Sequence, residues 1–378
     1  MSAAISTSQS AADNLMSVTV LDGGMGDELR HRFPDKPWSP YALESHAGDV
    51  VATHCEYIYA GAQVLETWNY SVTPYWLRGH HTSEQKDADA ATIAQTFEDL
   101  TRKSVRLAKQ ARELCGTPHV RIAGALPPIG ATFDAQEPIL DGSGLPVDTY
   151  EFYLAQARIL ASEGVDLFLI ETCASISFAA AAIQACRAAD PDKELWLAFT
   201  LRHTAPVLCS GETVPDAIAA LSSLPCRKMD ALLFNCCPTE VISKAIEIAR
   251  PLYDGHLGGY GNRRSERKAY GIEQAAKQSK AGALHLGGDR VDLNPEGYAQ
   301  WCEDWIAKGA DIVGGCCQVG PKHIAAVSRM VDNLAAIEDA GSNATVRGPR
   351  RQGFTNLTMK VLGVPLSNAG APTILSKL

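Results

Sequence analysis

The stretch VDLFLIETCASISFAAAAIQACRAADPDKELWLAFTLR, residues 165–202, reads as strand, helix, strand. VDLFLIETC is a short, nearly continuous apolar run that closes on polar and sulfur residues, as a strand buried on both faces does. ISFAAAAIQACRAAD spaces its apolar positions three and four apart, the pattern of a helix with one buried face. LWLAFTLR then resumes the strand. Two strands joined through a helix run parallel, because the crossover returns the chain to the end of the sheet from which it started.

The same unit recurs on both sides. SVTVLDGG (17–24), AQVLETW (62–68), VRIAGAL (120–126), ALLFNCC (231–237), HLGGYG (256–261) and ADIVGGCC (310–317) bring the strand candidates to eight. Helical spacing marks residues 46–62, 96–116, 148–165, 176–190 and 238–253,. Eight strand–helix units imply an α/β fold of the (β/α)8, or TIM-barrel, kind. A doubly wound sheet is the competing arrangement, but no G-x-G-x-x-G opens a helix after the first strand.

Three regions follow: a flexible Ser/Ala-rich segment over 1–17, a barrel over 18–340 and a basic extension over 341–378. The extension carries Arg347, Arg350, Arg351, Lys360 and Lys377 and no acid, so it is +5 and the remainder −14 within a net charge of −9. That balance argues against nucleic acid as the main partner. The N-terminal segment has no basic residue and no long apolar core, as a secretory leader would, and no run of eighteen apolar residues occurs, so no membrane span is expected. Eleven cysteines without regular spacing are expected as reduced thiols in a cytoplasmic protein,. Nothing sets the oligomeric state, and a homo-oligomer stays open.

In a barrel all the strand C-termini converge on one mouth. Asp22, Glu66, Glu171, Asn235 with Cys236, and Cys316 with Cys317 stand at those ends. Three thiolates around one pocket suit a soft metal ion, and three protein ligands with a fourth position open is the catalytic pattern. A vicinal pair in a core is otherwise often incidental, and Asp22 and Glu66 fit equally well as loop anchors. Gly314 and Gly315 permit the sharp turn that two adjacent ligands need. Trp68, Tyr70, Tyr75 and Trp76 read either as an aromatic wall for a methylated cation or as loop packing. His80, His81 and His323, and the cluster Arg263, Arg264, Arg267 and Lys268, read as surface groups. The remaining cysteines read as small core residues or surface thiols. No H-E-x-x-H, G-x-S-x-G or P-loop motif occurs.

Four stretches together, VLDGGMGDEL (20–29), ETCASISFA (171–179), LFNCCPTEVI (233–242) and DIVGGCCQVGPKHI (311–324), resemble the homocysteine S-methyltransferase family. The resemblance runs in order from residue 18 to 335. It implies a (β/α)8 barrel holding Zn2+ on Cys236, Cys316 and Cys317; Cys237 falls one place beyond the family's ligand. It further implies that Asp22, Glu171 and the Gly23–Gly24–Met25 turn bind homocysteine's amino and carboxylate groups, with Asn235 at the same site. The activity implied is transfer of a methyl group from S-methylmethionine, S-adenosylmethionine, a betaine or another small onium donor to the zinc-bound thiolate, forming methionine. ETWNYSVTP (66–74), GALPPIGATF (124–133), GGYGNRRSERK (258–268) and QVGP (318–321) depart from the family's usual stretches, so the metal half is kept while the donor half has drifted. Methylation of another thiol or selenol, demethylation of an onium compound, and a non-catalytic zinc or thiol redox role are the alternatives.

Overall fold

The computed structural model describes residues 18–33, 40–79, 89–130, 147–263 and 290–342. Residues 165–202 fold as expected: β4 (Leu167–Cys173), α7 (Ile176–Ala189) and β5 (Glu194–Thr200), with β4 and β5 parallel. Along β4, Leu167 and Leu169 point into the barrel while Phe168 and Ile170 pack outward under the helices. This period of two, with both faces buried, is why the run is apolar throughout.

The other strands are β1 (Thr19–Val20), β2 (Val64–Glu66), β3 (Arg121–Leu126), β6 (Ala231–Asn235), β7 (His256–Gly261) and β8 (Ile312–Gly315). All pair in parallel, in the order β1-β8-β7-β6-β5-β4-β3-β2. Leu21 pairs with Val64, the Asp22 N–H donates to Val64 O (3.1 Å) and the Gln63 N–H to Val20 O (2.7 Å), which joins the first strand to the second. The ring is a (β/α)8 barrel. All eight expected strands form.

The helices that cover it include α1 (Met25–Arg32), α2 (Pro40–Ser45), α3 (Ala47–Tyr59), α4 (Pro74–Gly79), α5 (Ala90–Leu114), α6 (Thr149–Ser162) and α9 (Thr239–Ala249). α8 (Val214–Ser222), α10 (Pro295–Ala307) and α11 (Pro321–Ser342) complete the set and, like α1, α2 and α4, lie beyond the stretches that periodicity singled out. α8 spans only nine residues and leans on its start: Thr213 and Asp216 form a reciprocal capping box across Pro215, worth about 1 kcal/mol. Among the described residues no helix is long and apolar enough to cross a membrane.

Barrel-interior side chains form layers. Leu21, Val64, Leu167, Leu169, Trp196, Leu233 and Ile312 fill the apolar middle. One step of two further on, Glu66 follows Val64, Glu171 follows Leu169 and Asn235 follows Leu233. The apolar filling gives way to polar groups at the strand C-termini, and Tyr260 on β7 is paired in register with both Asn235 and Gly314.

Candidate metal and active site

The three cysteines come together. Cys236 Sγ lies 3.7 Å from Cys317 Sγ, which lies 3.9 Å from Cys316 Sγ, and all three sulfurs are within 4.8 Å of one another. A tetrahedral ion with metal–sulfur bonds of about 2.3 Å sets its sulfurs about 3.8 Å apart, so the set fits such an ion without rearrangement. Among the described residues no fourth Cys, His, Asp or Glu completes the group. Hydrogen bonds to Cys236 and Cys317, then burial, push the Cys316 thiol well above its ordinary pKa. Three thiolates this close repel one another unless a cation lies among them. Neighbouring Cys237 is fully buried and its thiol is pushed up to about 12 by burial, the behaviour of a core residue.

Backbone strain aims these groups. Three non-glycine residues adopt left-handed φ: Thr172 (+54°), Cys236 (+52°) and Gln318 (+64°). Each costs roughly 1–2 kcal/mol, and each stands where a strand meets the mouth. Cys236 turns the chain directly after Asn235. Gln318 turns it directly after the double cysteine. Its N–H is fixed by Asp27 Oδ2 (2.7 Å), while Arg263 donates its backbone N–H to Cys317 O (3.1 Å) and its guanidinium to Gln318 O (3.1 Å). The expectation of a solvated Arg263 is therefore corrected: it straps the cysteine loop down. Arg264, Arg267 and Lys268 lie outside the described residues, as do His80 and His81.

The first glycine turn is pressed against the same loop. A Cβ at Gly23 would meet Val319 O at 2.1 Å, and one at Gly24 would meet Cys316 O at 2.5 Å, so any side chain would displace the cysteines. Gly24 donates its N–H to Val319 O (2.9 Å) and Met25 donates to Gly23 O (2.8 Å). Those two N–H groups are engaged within the protein.

Asp22 and Glu171 are almost fully buried, and Asp22 Oδ2 accepts the Glu66 N–H at 3.0 Å. Burial, followed by the neighbouring charge of Glu66, holds Asp22 well above the ordinary carboxylate range; Glu171 is raised by burial, then by Glu66, Cys317 and Asp22. Burial pushes Glu66 up to about 8. Among the described residues none of the three forms an ion pair with Lys, Arg or His.

Asn235 is fully buried. Its Oδ1 accepts the Thr172 N–H (3.0 Å) and its Nδ2 donates to Thr172 Oγ1 (2.8 Å). The two bonds hold the irregularity in β4, where the register to β5 shifts between Ile170 and Cys173, directly beside Glu171. Asn235→Ala should cost about 2 kcal/mol by orphaning the Thr172 N–H and hydroxyl. Thermal denaturation checks this, and an unchanged midpoint would remove the clamp from the account.

His323 is buried rather than exposed. It accepts the Gly320 N–H on Nδ1 (3.3 Å), meets Tyr298 edge-on at 6.2 Å, and burial pushes its pKa down to about 4. The start of α11 packs inward against α10, so a histidine at a helix opening becomes a neutral loop anchor. Trp68 and Tyr70 pack on the core outside the barrel, and Tyr75 and Trp76 stack edge-on at 5.2 Å.

Residues 19–331 match the model of the family described as homocysteine S-methyltransferase. The chain belongs to that family. A homocysteine S-methyltransferase of Escherichia coli (strain K12) is 29% identical over 82% of this chain and 94% of its own length. A selenocysteine methyltransferase of Astragalus bisulcatus is 24% identical over 83% of this chain and 92% of its own. The metallated form of the homocysteine methyltransferase MmuM from Escherichia coli superposes with a TM-score of 0.62 at 26% identity, covering 83% of this chain and 96% of that one.

The sequence reading missed Tyr260, strapped-down Arg263 and the Asn235–Thr172 pair. Tyr260 had a signal: on β7 it lies two residues beyond Gly258, in the phase of the inner wall. The clamp had none, because its partners are 63 residues apart.

Proposed function

We propose that this enzyme transfers a methyl group from a small onium donor to the sulfur of homocysteine, with Zn2+ held by Cys236, Cys316 and Cys317. The observation that carries the reading is the three-sulfur set, spaced for a tetrahedral ion and joined by no fourth Cys, His, Asp or Glu among the described residues. When bound there, zinc supplies a Lewis acid that keeps the acceptor thiol deprotonated at neutral pH.

The protein's own groups do the rest. Asp22 and Glu171 take the acceptor's ammonium: two carboxylates held out of water regain, as an ion pair, the counter-charge they lack. The Gly23–Gly24–Met25 turn seats the acceptor's carboxylate at the opening of α1, where the helix N-terminus is partially positive. Since Gly24 and Met25 have spent their N–H groups on Val319 and Gly23, the turn contributes shape and dipole more than direct bonds. Asn235 acts through Thr172, orienting Glu171. The three cysteine sulfurs offset the ion's charge and leave the site net negative, which favours approach of a cationic donor. No general base is needed to transfer a methyl group to a thiolate. The polar mouth of a soluble barrel fits a cytoplasmic enzyme acting on small molecules.

A donor-by-acceptor matrix read by mass spectrometry tests this. Methionine should form from homocysteine with at least one of S-methylmethionine, S-adenosylmethionine and glycine betaine. Methylation of selenocysteine or another thiol with none of homocysteine would overturn the acceptor.

A further inference from the structure

Two of the cysteines away from the mouth lie side by side. Cys55, on α3, is 8% exposed, whereas Cys115 caps the end of α5 and is half-buried. α3 packs along α5, and the two residues converge on one carbonyl. Cys55 Sγ donates to Ala111 O at 3.8 Å, and the Cys115 N–H donates to the same oxygen at 3.0 Å. The Cys115 sulfur in turn accepts from the Cys55 thiol and from the hydroxyl of Tyr59, the last residue of α3. Both cysteines belong to the packing outside the barrel wall, whereas Cys316 packs against the barrel interior.

The two sulfurs are not equivalent. The hydrogen bond from Cys55, opposed by burial and helped by Tyr59, lowers the pKa of the Cys115 thiol. The same hydrogen bond, then burial, raises that of Cys55. Cys115 is therefore the readier thiolate, the nucleophilic form of a cysteine. It is also the one that can be reached. A Cβ on the next residue, Gly116, would meet nothing within 4 Å, and Leu114 before it is 56% exposed. An accessible thiolate backed by a second thiol is the arrangement on which reversible cysteine oxidation depends.

We propose that Cys55 and Cys115 form a dithiol site that hydroperoxides oxidise to a disulfide, with Cys115 reacting first and Cys55 resolving it. The Cys115 thiolate attacks the terminal oxygen of the hydroperoxide. The O–O bond breaks, the alkoxide or hydroxide leaves and takes up a proton, and Cys115 becomes a sulfenic acid. Cys55 then gives up its proton and attacks the Cys115 sulfur. The S–S bond forms, the S–O bond breaks, and hydroxide leaves with that proton as water. Two thiols have lost two electrons and two protons, and the hydroperoxide has become one alcohol (or water) and one water. The product staples α3 to α5, and a small dithiol reverses it by exchange. The site owes nothing to the methyl-transfer reading, so failure of the turnover matrix leaves it standing.

The experiment treats the zinc-loaded full chain with hydrogen peroxide, blocks the remaining thiols at successive times and maps the peptides by mass spectrometry. Cys226, another half-buried cysteine, is the internal reference. A peptide cross-linked through Cys55 and Cys115 should appear roughly tenfold faster than Cys226 is oxidised, and dithiothreitol should remove it. In Cys55→Ser, Cys115 should stop at the sulfenic acid and be captured by dimedone. In Cys115→Ser, Cys55 should stay reduced. Oxidation of Cys115 no faster than that of Cys226 would overturn the proposal, as would a disulfide from Cys115 to any other cysteine. So would oxidation of Cys55 in Cys115→Ser. Release of zinc ahead of the cross-link in wild type would make the mouth sulfurs the reactive set and overturn it too. Should a variant fail to fold, the wild-type time course decides alone.

Discussion

Cys316→Ala should abolish methyl transfer and zinc retention together. Wild type is expected to carry about one zinc per chain, the stoichiometry of a single three-sulfur site. Removing Cys316 leaves Cys236 and Cys317 at 3.7 Å, too few ligands to hold the ion against solvent. Losing an outer partner of a metal ligand already costs roughly 10- to 100-fold in affinity or activity, and losing the ligand itself should cost more, roughly 1000-fold in turnover. Cys237→Ala is the control. It stands next to Cys236 but is fully buried in the outer core, so it should keep its zinc. A thiol-specific reagent gives a readout independent of activity: stripping the ion with a chelator should expose three further thiols in wild type and none in Cys316→Ala, whose two remaining sulfurs react from the start. Stoichiometric zinc in Cys316→Ala, or its loss in Cys237→Ala, would remove this ligand set from consideration.

The cysteines were legible because their chemistry is local. A double cysteine after two glycines needs no knowledge of the rest of the chain to raise the question of a metal. Joining Cys236 to them required only that strand C-termini converge, which the period-two apolar runs already imply. What could not be read is whatever depends on two distant segments meeting at a particular depth. Asn235 was named from its place at a strand end, yet its amide is used on Thr172, and the φ of +54° that creates the need for that clamp has no sequence signature. Arg263 sits among basic residues and reads as solvated; only the return of β8 beside β7 brings Gln318 O and Cys317 O to it.

The same distinction governs the fold. β4 and β5 were plain because both faces of a barrel strand are buried, so Leu167–Ile170 and Leu195–Phe199 are apolar without a break. α8 was not, since nine residues with a capping box carry too little periodicity to separate from a loop. His323 shows how context inverts a residue's meaning. A lone histidine at a helix opening is a reasonable surface group, but the Gly320 N–H and the Tyr298 ring enclose this one.

A second buried histidine sets the protein's behaviour in acid. His54, on α3, is fully buried, and neither ring nitrogen has a hydrogen-bond partner among the described residues. Burial pushes its pKa down from 6.5 to about 3. Above pH 6.5 the imidazole is neutral in both the folded and the unfolded chain, and no penalty applies. Below pH 6.5 the unfolded chain takes up a proton that the folded chain refuses. The unfolded state then binds more protons, so stability falls with falling pH, by about 1.4 kcal/mol per unit. Between pH 6.5 and 4.5 the loss is about 2.7 kcal/mol, roughly a hundredfold in the folding equilibrium. Asp22, Glu66 and Glu171, whose pKa values are raised, work in the opposite sense: their folded forms hold protons that the unfolded chain releases, which favours the folded state as pH falls toward their ordinary values. A bare acid titration therefore mixes the two. His54→Leu isolates one of them, because it removes the titrating ring at nearly constant volume and leaves the mouth alone. Urea unfolding of both proteins across pH 7 to 4.5 should show the variant's advantage growing by about 2.7 kcal/mol toward low pH. Parallel curves would mean that His54 is protonated in the fold, and hence that a partner or a water reaches it.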